Sequence, residues 1–162
     1  MVEIRQLIQS EIGLLKDLPP EEWNINLPEI VSFHFGYPYF YPIVACSGKE
    51  IIGFGNGILN NKVGWVGNII VTQEFRRQGI GHELTNHLVE FFREKGCTTQ
   101  LLIATELGKN IYSRIGFRTT STYHVYKTGT VPEVYKHVNG LRKLRKEDYP
   151  FLRKMDFEIT GE

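Results

Sequence analysis

Val63-Gly64-Trp65-Val66-Gly67-Asn68-Ile69-Ile70-Val71 runs through Thr72-Gln73-Glu74-Phe75-Arg76-Arg77-Gln78-Gly79-Ile80-Gly81 and on into Leu84 and Leu88. Val66, Ile69, Ile70 and Val71 form a β-rich apolar group interrupted by Gly64 and Gly67. Beyond Gly81 the apolar spacing changes: Ile80, Leu84, Leu88 and Phe92 recur every four residues, the period of a helix. The stretch predicts a strand, then a basic glycine-bearing loop, then a helix. Glycines let backbone N–H groups approach an anion, and the first turn of a helix offers unpaired N–H groups at the positive end of its dipole. Arg76 and Arg77 add charge at the same place. A pyrophosphate is the natural guest of such a loop.

Two common phosphate-binding patterns are excluded. No Lys-Ser or Lys-Thr follows these glycines, so the loop is not a P-loop. Leu84 stands where a dinucleotide fingerprint requires its third glycine. What remains is Arg76-x-x-Gly79-x-Gly81 directly after a strand. A second pattern lies downstream, past a strand-like Thr98–Ala104: Asn110-Ile111-Tyr112-Ser113-Arg114-Ile115-Gly116-Phe117, with Tyr112 four residues before Gly116-Phe117.

Together these motifs, in this order, resemble the acetyl-CoA signature and the A-x-x-x-Y-x-x-x-G-F ending of the GNAT superfamily of N-acetyltransferases. The resemblance covers Val2 to Lys127. It implies an α/β (α+β) fold with a mixed, mostly antiparallel central sheet and helices on both faces. It also implies acetyl-CoA as co-substrate and no metal. Ile69, Ile70 and Val71 would pair with the pantetheine arm as in strand addition. Arg76, Arg77, Gln78, Gly79, Ile80, Gly81 and His82 would hold the phosphates, and Asn110 also counts among the coenzyme-binding residues. Tyr112 would be the general acid that protonates the departing thiolate, since a phenol with pKa about 10 stays protonated at neutral pH. Two departures are visible: Gly108 stands where the family often has Ala, and Thr105 where it often has Asn. Some relatives carry a Glu near the position of Trp65. With none there, Glu74, Glu106 and His34 acting through a water are the candidate bases, and the base stays unassigned.

The 162 residues fit one domain with a sizeable core. No apolar run approaches the roughly 18 residues of a membrane span, and the first residues show no basic-then-apolar leader pattern. Cys46 and Cys97 lack metal-ligand or C-x-x-C spacing and read as reduced thiols of a cytoplasmic protein. A net charge of +1 implies no general attraction to nucleic acid. Seven of the basic residues fall between Lys136 and Lys154, against Glu147 and Asp148. That stretch lacks regularly spaced aromatics for stacking bases, so it reads as a solvated face.

In chain order, Val2–Gln6 reads as a strand and Ser10 as the cap of a short helix that Pro19 and Pro20 close. Glu21–Phe35 reads as a second helical segment broken near Pro28. Five aromatics between Phe35 and Tyr41, with Pro38 and Pro42, exclude a helix there. This loop either lines the acceptor site, as in similar proteins, or covers one end of the core. Tyr41–Cys46 and Glu50–Ile58 form a hairpin across Ser47-Gly48-Lys49, followed by the Val63–Val71 strand. The helix from Gly81 ends at Lys95-Gly96. Thr98–Ala104 returns parallel to Val63–Val71. Leu107, Ile111 and Ile115 mark a further helix, and Phe117–Lys127 another strand.

The domain organisation expected is an acetyltransferase-like domain over 1–128, a linker over 129–139 and an extension over 140–162. Ile4-Arg5-Gln6-Leu7 is echoed by Leu141-Arg142-Lys143-Leu144, and at the same offset Glu11 meets Asp148, Leu14 meets Phe151 and Leu15 meets Leu152. The extension therefore reads as the first strand and helix of a truncated second copy, or as a closing strand of the first.

The function expected is acetyl transfer to a primary amine of a small molecule or a peptide, with no nucleic-acid or membrane partner and a homodimer left open. The alternative is a silent acetyl-CoA sensor. A domain that only supports a tandem partner fits poorly with intact Arg76, Gly79 and Gly81. The acceptor is unread, because Trp23–Tyr41 matches nothing diagnostic.

Overall fold

Antiparallel pairing of consecutive strands builds most of the sheet. β1 (Val2–Gln6), β2 (Phe40–Ser47), β3 (Glu50–Asn60), β4 (Val63–Val71) and β5 (Thr99–Leu102) lie in that order. The first three pairings are antiparallel and β4–β5 is parallel. The parallel step is where the helix α2 (Ile80–Glu94) is inserted, as two parallel neighbours require a crossover. The structure, a computed structural model, describes residues 2–124, 126 and 140–160. The expected 129–139 linker lies outside the described residues.

Each face of the sheet buries its own cluster. On one side Leu7, Ile12, Leu15, Leu27, Val31, Phe40, Val44, Phe54 and Ile70 pack together, with contributions from the Gln9–Leu15 3₁₀ turn and from α1 (Leu27–His34). On the other Ile43, Ala45, Ile52 and Val66 pack against Ile80, Leu84, Leu88 and Phe92 of α2. The period-four run read from the sequence is therefore the seam of α2. Its close approach depends on small residues in the strands beneath: a Cβ at Gly64 would lie 2.4 Å from the Phe92 ring. A side chain there would push α2 off the sheet.

Several local expectations are corrected. The break expected near Pro28 falls at residues 24–26, between a Glu21–Trp23 3₁₀ turn and α1, and Pro28 sits in the first turn of α1, where its missing N–H would have no partner anyway. Asn26 caps that turn by accepting from the Glu29 N–H. Ser10 is not the cap of the first helical turn: Glu11 does that work, accepting from the Ile8 N–H while also holding Arg5. Phe117–Lys127 is not a strand over its described residues, 117–124 and 126. Residues 118–124 are exposed and bury no apolar face that could hold them on the β5 edge. The aromatic loop serves the core in part: Phe40 is buried, Phe35 and Tyr39 pack against the same cluster, and Tyr37 is exposed.

The chain divides into two compact units, 1–121 and 122–162. The second holds a short 3₁₀ turn, Lys146–Asp148, and α4 (Tyr149–Thr160). Residues 141–145 form no strand, so only the helical half of the expected repeat is present there.

Candidate active site

β4 is paired on both sides for only half of its length. Val63–Val66 face Thr99–Leu102 of β5, whereas from Gly67 onward β4 has β3 alone as a neighbour among the described residues. The second half thus presents unpaired main-chain groups along an open edge, a template for an extended guest.

A bulge separates the two halves. Phe54 pairs with Ile70 and Asn56 with Gly67, so Asn68 and Ile69 together oppose Gly55. Asn68 takes a left-handed conformation, φ 50°. The extra residue reverses the faces: Val66 belongs to the α2 cluster and Ile70, four residues on, to the α1 cluster. In an unbroken strand both would point the same way. The ladder phase beyond the bulge is set by the Thr72 N–H, which donates to the Ile52 carbonyl at 2.9 Å. Alternation then turns the N–H and C=O of Val71 away from β3, and those of Ile69 with them. The guanidinium of Arg76 already uses this direction, its Nε donating to the Val71 carbonyl at 3.0 Å.

The loop after β4 folds back on itself. Gln78 Nε2 donates to the Glu74 carbonyl at 3.2 Å, and Arg77 and Gly79 are both left-handed, at φ 62° and 86°. α2 starts at once, with Gly79 as its N-cap and no side chain to satisfy the first turn. The other two helices of this unit are treated differently: Asn26 caps α1, and Thr105 caps α3 (Glu106–Ile115) by accepting from the Gly108 N–H at 3.3 Å. The first N–H groups of α2 have no side-chain cap and are therefore open to an anion. Arg76, Arg77 and Gln78 are exposed beside it, and His82 is half-buried against Asn86.

α3 packs beside the start of α2. A Cβ built at Gly81 would lie 3.7 Å from Ile111, 3.8 Å from Ile69 and 3.9 Å from Val71, so the end of β4, the first turn of α2 and the middle of α3 converge there. The two sequence motifs, thirty residues apart, meet at this point. Tyr112 follows Ile111. Its ring lies back along its own helix over Gly108, where a Cβ would come within 2.7 Å of it, and meets Phe117 edge to face at 6.4 Å. Burial pushes the phenol pKa above its ordinary value. Gly108 is therefore what lets the ring lie flat. Asn110 is exposed on the same helix.

The candidate bases do not gather around Tyr112. His34 bonds Tyr39 instead, Nδ1 to hydroxyl at 2.9 Å, at the end of α1. Glu74 and Glu106 are exposed in their respective turns, and none of the three bonds to Tyr112 among the described residues. An open groove of about 710 Å³ runs from Gln78 and Ile80 along α2 to Val2 and Ile4 of β1, away from the β5 edge. Sequence reasoning missed Asn56 and Asn68. The signal was there: Gly67-Asn68 is a turn-forming pair inside an apolar run, which marks a bulge.

The model of the acetyltransferase (GNAT) family matches residues 8–117. Solved structures with the same fold include an acetyltransferase of Trypanosoma brucei, 23% identical, with a TM-score of 0.66 over 79% of this chain and 100% of that one. An aminoglycoside N-acetyltransferase in complex with CoA is 16% identical, with a TM-score of 0.66 over 80% and 96% of the two chains. The ribosomal-protein-S18-alanine N-acetyltransferase of Escherichia coli is 17% identical, with a TM-score of 0.62 over 75% and 80%. At these identities the likeness shows the fold.

Proposed function

This chain belongs to the GNAT acetyltransferase family, and we propose that it moves an acetyl group from acetyl-CoA to a primary amine of a small molecule or a peptide. The observation that carries the reading is the half-paired β4 ending beside the uncapped first turn of α2. The main-chain groups of Ile69 and the N–H of Val71 would take the pantetheine arm, the Val71 carbonyl being held by Arg76 Nε. The loop from Arg76 to His82 would hold the pyrophosphate on backbone N–H groups, with the two arginines supplying charge. A main-chain N–H of β4 would face the thioester oxygen, where negative charge develops. Acceptor chemistry differs among the similar structures, an aminoglycoside in one name and a protein alanine in another. Both are amines.

Tyr112 is the proposed general acid. Its pKa is raised by burial, so it holds its proton throughout the range in which the thiol, with pKa about 8.5, changes state. Tyr112→Phe keeps the ring and removes the donor. We expect unchanged acetyl-CoA affinity and a rate lowered by about 10²-fold, the loss shrinking as pH rises toward the thiol pKa. A Phe variant as fast as the parent at every pH would make Tyr112 a packing residue. Gly81→Val tests the phosphate loop. Its first atom meets only ordinary contacts in the protein itself, so the cost should fall on the coenzyme. Calorimetry should show acetyl-CoA binding abolished with the fold intact. Unchanged affinity would remove the assignment.

A second reading, a silent acetyl-CoA sensor, is favoured by one observation: no carboxylate or imidazole bonds to Tyr112 among the described residues. Thiol release from acetyl-CoA across a panel of amines separates the two. Binding without release for every amine favours the sensor.

A further inference from the structure

Asn56 is a polar residue in an apolar interior. It lies on β3, 2% exposed, on the face that carries Phe54 and the α1 cluster. Buried amides need partners. Asn56 Oδ1 accepts from Asn68 Nδ2 at 2.8 Å, and Asn68 is the left-handed residue of the β4 bulge. A Cβ at Gly67 would come within 3.2 Å of the Asn56 amide, so the strand lies directly against this pair.

We propose that Asn56 and Asn68 are positioning residues of the acetyl-transfer site, a side-chain pair that fixes the aim of the unpaired main-chain groups of Ile69 and of the Val71 N–H. The inference rests on the acetyl-CoA reading above. The apolar pattern already demands a bulge, because Val66 and Ile70 must enter opposite cores. That demand counts residues but sets no angles. Asn68 sits where an L-residue is strained and where asparagine is among the best tolerated, and its amide ties that strained turn to β3. Loss of the tie should leave the register intact and loosen the orientation of the next peptide units, at the point where a thioester oxygen would be polarised. Small errors of aim cost rate far more than binding.

The test uses Asn68→Gly, which keeps the left-handed backbone and removes the amide, and Asn56→Leu, which removes the acceptor and keeps the branched shape with the same number of heavy atoms. The probe is isotope-labelled acetyl-CoA bound to the full chain, read by the frequency of its thioester carbonyl, by calorimetric affinity and by the rate of thiol release. We expect the bound parent to lower the carbonyl frequency below that of free acetyl-CoA. Each variant should move it back toward the free value, with affinity within about twofold and release slowed about tenfold. The double variant should be no worse than either single one, because both remove one contact. Should Asn56→Leu fail to fold, Asn68→Gly decides alone. A variant with the parent's carbonyl frequency and rate overturns the inference, as does a loss of affinity equal to the loss of rate. A parent that binds no acetyl-CoA overturns the functional reading and this inference with it, whereas a binding parent with unaltered variants removes the inference alone.

Discussion

The Arg5–Glu11 and Arg142–Asp148 pairs repeat one local design 137 positions apart, and the two copies differ in what they are attached to. In the first, both guanidinium nitrogens of Arg5 reach Glu11, at 2.9 and 2.7 Å, and Glu11 also accepts from the Ile8 N–H at 3.4 Å. In the second, Arg142 reaches both oxygens of Asp148, at 2.6 and 2.5 Å, and Asp148 accepts from the Arg145 N–H at 2.8 Å. Each acidic side chain closes a short 3₁₀ turn. Yet Leu7 is 2% exposed while its counterpart Leu144 is 58% exposed, and buried Ile12 corresponds to exposed Tyr149. Val2–Gln6 is a strand because β2 lies beside it, and residues 141–145 have no such neighbour among the described residues. An arginine, an acid six residues on and the turn between them are enough for the local contact. Burial and strand pairing need the rest of a domain.

If that lesson is right, core truncations should separate the copies most. Leu15 is fully buried and Leu152 half-buried. Leu15→Ala should cost about 2–5 kcal/mol in denaturant unfolding, the range for a filled core site. Leu152→Ala should leave the main transition where it is. Equal losses would show that the second copy has a core of its own.

Removing the arginines should separate them less. Arg5→Ala leaves a carboxylate that is only 18% exposed at its side chain, and should cost about 1 kcal/mol after allowance for solvent screening. Arg142→Ala should not move the main unfolding transition, and its effect should appear only as faster amide exchange at Arg145. Protection of that amide retained in the variant would break the comparison from the other side.

The smallest effect is in acid. The Arg5 hydrogen bonds hold the Glu11 carboxyl below the usual carboxylate range, and Arg142, then the Arg145 N–H, do the same for Asp148. A depressed acid stabilises the folded state above its unfolded pKa, about 4.3 for Glu, and that contribution disappears as pH falls through the folded value. Parent and Arg5→Ala should therefore differ fully at pH 7 and converge as pH drops below about 4. A difference that persists in strong acid would assign the Arg5 contribution to packing of its stem.

Much of the site is legible in the chain. Arg76, Gly79 and Gly81 announce a backbone cradle because only glycine and a helix start offer N–H groups in that way, and the period of Ile80, Leu84, Leu88 and Phe92 gives the seam of α2 without any coordinates. Other features are local but easily misread: Ser10 reads as a helix cap, whereas Glu11 closes that turn.

The sequence by itself determined the strand–loop–helix, its glycine-bearing turn and the repeated arginine–acid spacing, since each is made by residues within a few positions of one another. Only the tertiary structure decided that β5 stops at Leu102 and leaves one edge of the second half of β4 open among the described residues, that Ile111 settles over Gly81, and that Asn68 reaches back to Asn56. It also decided that residues 117–124 form no strand and that Leu144 lies open. Those outcomes depend on which surfaces far apart in sequence meet and exclude water, and no periodicity in a single segment records its partner.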